Sequence, residues 1–412
     1  KYYNGVIEQV AGGIGNVEHN SILVRYSNDF SIWDLESVNH YKDQTDIFFT
    51  CHEFSYNKIA EAYEPYLGLI RQMFHKYCSG TLEEFMEECD VYKLQRPVFE
   101  SYFEKGFCER TEQILIDEVE YEQERMRNSI VTMLQKLSEI RPVVIVLNRF
   151  QLASKSTMQL SNSLLQVKNK NIGIVLGVND VQSIPEFAHE EWDAICESMD
   201  DRNMVYHIGN AGRNMEPDVM DYYSDYESDD GYRKLNNLVY FLDFDQADHH
   251  LSKIERRIKF DNFTISEKKH YQLLLLQIMV SVLQRDIAKA LESCEDLEKL
   301  QDQEKEGAFY YNFWMATSYM YLGKLEEAMI YVQKAKECGE ALGDDFLVFR
   351  AELLKAQNQM SGWCNIFFCA QDIEISDKLI EKLNAYHYKN HLAHIYIYAY
   401  DNKPEIVAKA YR

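Results

Sequence analysis

The stretch Pro142 to Leu165, PVVIVLNRFQLASKSTMQLSNSLL, constrains the fold more than any other part of the chain. Five consecutive apolar residues, Val143 to Leu147, follow a proline and end at polar Asn148 and Arg149, the pattern of a strand buried on both faces of a parallel sheet. A helix is expected next, with Ser156 placed to cap it and Met158, Leu160, Leu164 and Leu165 forming its inward stripe. The carboxyl end of such a strand is where open α/β sheets hold their ligands. Yet no carboxylate lies between Pro142 and Leu165. The stretch therefore predicts either no site at all or a site stripped of its acids.

A length of 412 residues suggests two or three domains, and 46% hydrophobic residues suffice for sizeable cores. The formal charge of -24 argues against a nucleic-acid surface, which needs clustered Lys and Arg. Nine scattered cysteines without a CxxC pair fit free thiols in a reducing, cytoplasmic setting and no zinc site. No run of about 18 apolar residues and no signal-peptide pattern opens a route to membrane spanning or secretion. Because the sequence starts at Lys1 without Met and stops at Arg412 in mid-pattern, we expect a piece of a longer polypeptide.

Taken in order, residues 2 to 17 contain a Gly-rich segment, AGGIGNV, which can be set against a Walker A loop with Asn16 and Val17 in the Lys and Ser/Thr places. A second register fits the lengths better: Ser21–Tyr26 as first strand, Ser31–Tyr41 as helix, Asp46–Cys51 as second strand. Either way Arg25 is the sole Lys or Arg between Tyr2 and Tyr41, so the lysine that a phosphate loop needs is missing. Helices are expected over Ala60–Tyr77, around Pro65, over Leu82–Cys89 and over Glu112–Glu139. Gly173–Val178 reads as another strand and Met204–Ile208 as an edge strand. This alternation is that of a doubly wound parallel α/β domain over residues 1–213.

From Asp218 to Asp230, six carboxylates in thirteen residues predict an acidic, mobile linker over 214–234. A calcium loop is the sharper alternative, but aligning Asp225, Glu227 and Asp229 with an EF-hand puts Gly231 one place late and Asn236 where the bidentate Glu belongs. Residues 235–412 read as helix pairs. Ile287, Ala290 and Leu291 correspond to Leu325, Ala328 and Met329, a period of about 38 residues against about 34 for a tetratricopeptide repeat. Ala316, Tyr319, Gly323, Ala328 and Ala335 occupy close-packing places, whereas Asn312 stands where Trp is usual and Arg285 stands in the Gly place. A third pair around Phe346–Leu383 and a fourth beginning at Leu392–Ala410 are irregular, which gives an atypical solenoid.

The first half resembles the ATPase domain of STAND-class signalling proteins, found before helical repeats in large LuxR-like regulators. That family follows its apolar strand with Asp-Asp-Leu-Gln/His-Trp-Ala-Asp-x-Ser. Here the frame runs from Asn148 to Ser156, keeping Gln151, Ala153 and Ser156 and replacing the acids with Asn148, Arg149 and Ser154. Cys51-His52-Glu53 and Pro65-Tyr66 also resemble the segment after that family's second strand. A similar arrangement, with a phrase like Phe241–Ala247 (FLDFDQA), occurs before the cyclase of GGDEF-type diguanylate cyclases from gut Firmicutes. The resemblance implies α/β plus all-α architecture: a degenerate P-loop-NTPase-like doubly wound sheet followed by TPR-like repeats. It implies a non-catalytic sensory scaffold that regulates an output domain, with no cofactor; the alternative is a nucleotide-binding STAND-type switch of a transcription regulator.

Several residues invite sharper assignments. Lys155-Ser156 imitates the end of a Walker A motif, but the glycines would fall on Arg149 and Ser154. Arg149 stands at a strand end where it can meet an acidic ligand or pair with a neighbouring acid. Adjacent His249 and His250 face different directions on a helix, which argues against a shared metal. Tyr310, Phe313, Trp314 and Tyr321 of the aromatic helix are candidates for a peptide-binding face, against inter-repeat core. Expected partners are a protein or peptide on the repeats, a small-molecule signal, or a second copy of the chain; nucleic acid, membrane, metal and catalytic residues are not expected.

Overall fold

The computed structural model describes residues 2–15, 20–26, 46–55, 57–92, 95–108, 119–167, 169–179, 184–201, 204–208, 223–261 and 263–361. The chain divides into two compact units, Lys1–His250 and Leu251–Arg412. The first unit is built on a five-stranded sheet: β1 (Ser21–Tyr26), β2 (Phe48–Glu53), β3 (Val143–Asn148), β4 (Ile172–Asn179) and β5 (Val205–Ile208). All neighbours are parallel and the spatial order is β2-β3-β4-β1-β5. Every residue of β3 and β4 is buried, which is why both read as unbroken apolar runs rather than alternating ones. Val144, Ile145 and Val146 are fully buried, each worth about 1.5–3 kcal/mol by removal from water. β4, not β3, lies in the middle of the order; β3 sits between it and β2.

The first strand follows the expected second reading, and the second, expected over Asp46–Cys51, lies two residues later at Phe48–Glu53. β1 spans the residues assigned to the first strand, and the Gly-rich segment precedes it: Gly12 and Gly13 end a helix, Tyr2–Gly13. A phosphate loop has to follow the first strand, so AGGIGNV is not one; Asn16, Val17 and the expected helix Ser31–Tyr41 lie outside the described residues. The helix expected from Ala60 begins only at Tyr66, because Tyr63 adopts a left-handed conformation (φ 55°) that a right-handed helix excludes. Helices Val119–Ile140, Lys155–Gln166 and His189–Asp201 complete the frame.

The described part of the acidic stretch, from Tyr223 onward, is not the solvated linker that its composition suggests, and Asp218 and Asp221 lie outside the described residues. Tyr223–Glu227 and Asp229–Tyr240 are helical, and Ser228 caps the second of them by accepting from Gly231 N–H at 2.8 Å. Asp225 is buried, accepting from Ile59 N–H and lying 3.7 Å from Lys234 Nζ. Acids favour a helix N-terminus as well as open solvent, so carboxylate density alone does not separate the two.

Helical hairpins follow, and their turns share one conformation. Leu242, Arg285 and Gly323 have φ values of 66°, 65° and 73°. After each, the next residue donates back to the preceding helix: Asp243 to Leu238 (2.8 Å), Asp286 to Ser281 (2.8 Å) and Lys324 to Tyr319 (2.9 Å). Four residues on from those donors, Ala247, Ala290 and Ala328 are each wholly buried. The equivalence of Ala290 and Ala328 expected from sequence thus extends one hairpin earlier. The hairpins run Asp229–Tyr240/Phe244–Phe260, Glu267–Leu283/Ile287–Glu298 and Gly307–Tyr321/Leu325–Leu342. The division between the units falls within the helix Phe244–Phe260 rather than near residue 235. Asp345–Ser361 is a further helix, and the rest of the third and fourth expected pairs lies outside the described residues. Among the described residues no helix is long and apolar enough to cross a membrane.

Two glycines test this packing in opposite directions. A Cβ at Gly231 would run into the Asp225 carbonyl, whereas one at Gly68, inside the helix Tyr66–Tyr77, would meet nothing within 4 Å. Gly231→Ala should lower urea-unfolding stability by about 1–3 kcal/mol. Gly68→Ala should raise it by roughly 0.5–1 kcal/mol.

Candidate functional site

Parallel strands deliver their carboxyl ends to one edge of the sheet, and here the polar residues converge there. The register sets Glu53 opposite Asn148 and Tyr26 opposite Asn179. Tyr26 Oη donates to Asn148 Oδ1 at 3.0 Å, and Asn148 Nδ2 donates to Glu53 Oε1 at 3.3 Å. Arg149 Nε lies 3.5 Å from the same carboxylate oxygen, and Asn179 N–H donates to Gln151 Oε1 at 3.2 Å. Asn148 is wholly buried, so its amide can stay there only because both ends are bonded. Of the two readings of Arg149, the structure shows the ion pair with a neighbouring acid. Its backbone is left-handed (φ 53°, ψ 43°) and starts the tight turn Phe150–Leu152.

The helix after β3 is capped by Ser154, not by Ser156 as expected: Ser154 Oγ accepts from Thr157 N–H at 3.3 Å. Ser, Asp and Asn are comparable caps, so Ser154 starts this helix as an acid would, but without a charge. Three hydroxyls then grip one loop. Ser154 Oγ donates to the Glu61 carbonyl (2.8 Å), Ser156 Oγ accepts from Tyr63 N–H (3.2 Å), and Thr157 Oγ1 donates to the Glu64 carbonyl (3.1 Å). Lys155 is spent on Asp245 (2.6 Å) and lies 3.7 Å from Glu191.

Asp243 closes the arrangement. Its Oδ2 accepts from Ser156 N–H at 2.8 Å while Oδ1 accepts from Gln246 N–H at 3.3 Å. One buried carboxylate therefore serves the N-termini of both Lys155–Gln166 and Phe244–Phe260. Burial raises its pKa to about 6, against the hydrogen bonds that favour its charge. Glu61 is pushed further, to about 7, by burial and by the nearby Glu64 carboxylate, with the Asn237 amide opposing at 3.4 Å. Burial lowers the pKa of His52, although Glu64 lies 3.4 Å from its Nε2.

The remaining expected residues go elsewhere. Phe313 and Trp314 are 1% and 3% exposed, so these two belong to the repeat core and not to a peptide-binding face; as neighbours they point to different sides of a helix that is buried all round from Asn312 to Ser318. Arg350 covers the Phe313 ring at 4.3 Å and approaches Tyr310 at 5.9 Å, while Tyr321 is exposed with Arg285 at 4.1 Å over its ring. His250 is buried between Tyr226 Oη (3.2 Å) and Gln246 Nε2 (3.1 Å), and His249 faces Phe187. Among the described residues no group of three or more His, Cys, Asp or Glu could hold a metal ion. Asp225 is committed to Ile59 and Lys234, which removes the first ligand of the calcium alternative. Sequence reading singled out Asn148, Arg149 and Ser154 but missed the roles of Tyr26, Glu53 and Asp243; the alignment of Asp243 with Asp286 was the signal available for the last. No family of known proteins, no curated protein and no solved structure matches the chain.

Glu61 gives this site a definite pH response. A carboxyl group whose folded pKa is raised to about 7 from 4.5 supplies stability that is full below about pH 4.5 and is lost as pH rises through about 7. Glu61→Gln should match the wild type near pH 5 and exceed it at pH 8 by roughly 1–2 kcal/mol in urea unfolding. A wild type more stable than the variant at pH 8 would contradict the assignment.

Proposed function

We propose that the chain is a non-catalytic scaffold and sensory module of a signalling protein, in which a degenerate ATPase-like sheet is kept for its packing and the helical hairpins bind a protein or peptide. The observation that carries this reading is the side-chain bridge Tyr26–Asn148–Glu53 across the ends of β1, β3 and β2. At that edge an ATPase needs a carboxylate for magnesium and an electrostatic partner for the γ-phosphate. Here the amide of Asn148 is spent on a tyrosine and a glutamate, and Arg149 faces Glu53.

The order β2-β3-β4-β1-β5, parallel throughout, is compatible with an ATPase-like α/β sheet; it is neither the 3-2-1-4-5-6 nor the 2-1-3-4-5 order of other doubly wound sheets. Repeated hairpin turns at Leu242, Arg285 and Gly323 support the TPR-like reading of the helices. In the longer polypeptide that this reading calls for, the output domain would be a GGDEF-type diguanylate cyclase, on the strength of the phrase Phe241–Ala247 and the order of parts.

Calorimetry with ATP-magnesium and with ADP should show no binding at ligand concentrations up to about 1 mM, a bound of about -4 kcal/mol. Micromolar binding of either would replace the scaffold reading with a nucleotide switch. The double variant Asn148→Asp, Arg149→Asp should remain without ATPase activity. It should also lose about 1–3 kcal/mol of stability, since Glu53 would face new carboxylates in place of a donor and a cation.

A further inference from the structure

The turns of the three hairpins are equivalent, but the residues that start their second helices are not used alike. Asp286 is an exposed cap, accepting from Lys289 N–H at 3.2 Å, and Lys324 is exposed. Asp243, in the same place, is buried and accepts from two helices at once. Its neighbours reinforce the connection: Lys155 on one helix pairs with Asp245 on the other at 2.6 Å. Phe241, immediately before the turn, packs edge-on against Tyr63, Phe99 and Tyr102. Tyr63 belongs to the loop that Ser154, Ser156 and Thr157 hold.

We propose that Asp243 is a clasp that couples the carboxyl end of β3 to the first helical hairpin, so that a change at the start of Lys155–Gln166 is felt at the start of Phe244–Phe260. A helix N-terminus leaves backbone N–H groups without carbonyl partners one turn back. Each of these two helices satisfies one such group with the same carboxylate. Tilting or fraying the first withdraws Ser156 N–H from Asp243, leaving a buried anion with one donor fewer, and that penalty falls on the second helix, whose cap the anion is. The carboxylates of Asp245 and Glu191 and the Lys155 ammonium set the local field. As a means of passing a signal the clasp rests on the scaffold reading; as a mechanical coupling it stands by itself and is measured without any ligand.

Amide hydrogen exchange on the intact chain tests it. Asp243→Asn keeps the size of the side chain but removes its charge and one acceptor oxygen. Exchange should rise about tenfold or more, together, in 155–158 and 246–250, while the β4 amides 172–179 change less than about twofold. Ser154→Ala supplies the second measurement, because it frays Lys155–Gln166 without touching Asp243. It should raise exchange at 246–250 as well. Loosening of only one helix in Asp243→Asn, an unchanged 246–250 segment in Ser154→Ala, or an equal rise in β4 would each overturn the clasp. Nucleotide titration does not enter these readouts, so failure of the clasp and failure of the scaffold reading are separable.

Discussion

The N-terminus of the helix Lys155–Gln166 lies just beyond a strand buried along its whole length, and its exposed N–H groups must be met by side chains. Ser154 meets one and Asp243 another. Much of the first unit's polar architecture follows from that requirement. The hydroxyls that sit in this first turn are within reach of the loop Glu61–Glu64 and hold it by its backbone. The loop in turn is met by Asn237 at Glu61, and the chain just before it by Asp225 at Ile59. A polar network of this kind is stabilising only when each member is bonded, so its members depend on one another.

Under the scaffold reading, the same edge of the sheet keeps the form of an ATPase-like site without acids at the end of β3. Asparagine at 148 retains the size of an aspartate but gains a donor, and it uses both ends, toward Tyr26 and Glu53. Serine at 154 retains the capping oxygen without the charge. Under the scaffold reading, the replacements are those that conserve packing and capping while removing the electrostatics that phosphate chemistry requires. Two carboxyls with raised pKa values, Glu61 and Asp243, remain close by. Both are there for the network, and their charge is costly because they are buried.

The helical part teaches a related lesson about repeats. Ala290 and Ala328 stand out in the sequence because a small residue recurs at the same place in two similar segments. Ala247 belongs with them but sits in FLDFDQA, where phenylalanines hide the match and an acidic stretch precedes it. Its turn carries Leu242 in a conformation where glycine is the usual choice. The backbone geometry shows the equivalence that the letters do not.

By itself the sequence indicated the strands and most of the helices: short apolar runs bounded by turn residues read as strands buried on both faces, and helical stripes read as faces turned to a core. It also determined the missing charges, since an absent lysine or carboxylate is a fact about composition. Strand order, the burial of Asp225 and Asp243, and the separation of Phe313 and Trp314 from Tyr321 were decided only by the tertiary structure. The reason is physical. Apolar burial is periodic along the chain and is read locally, whereas a polar side chain takes its role from a partner that lies tens of residues away.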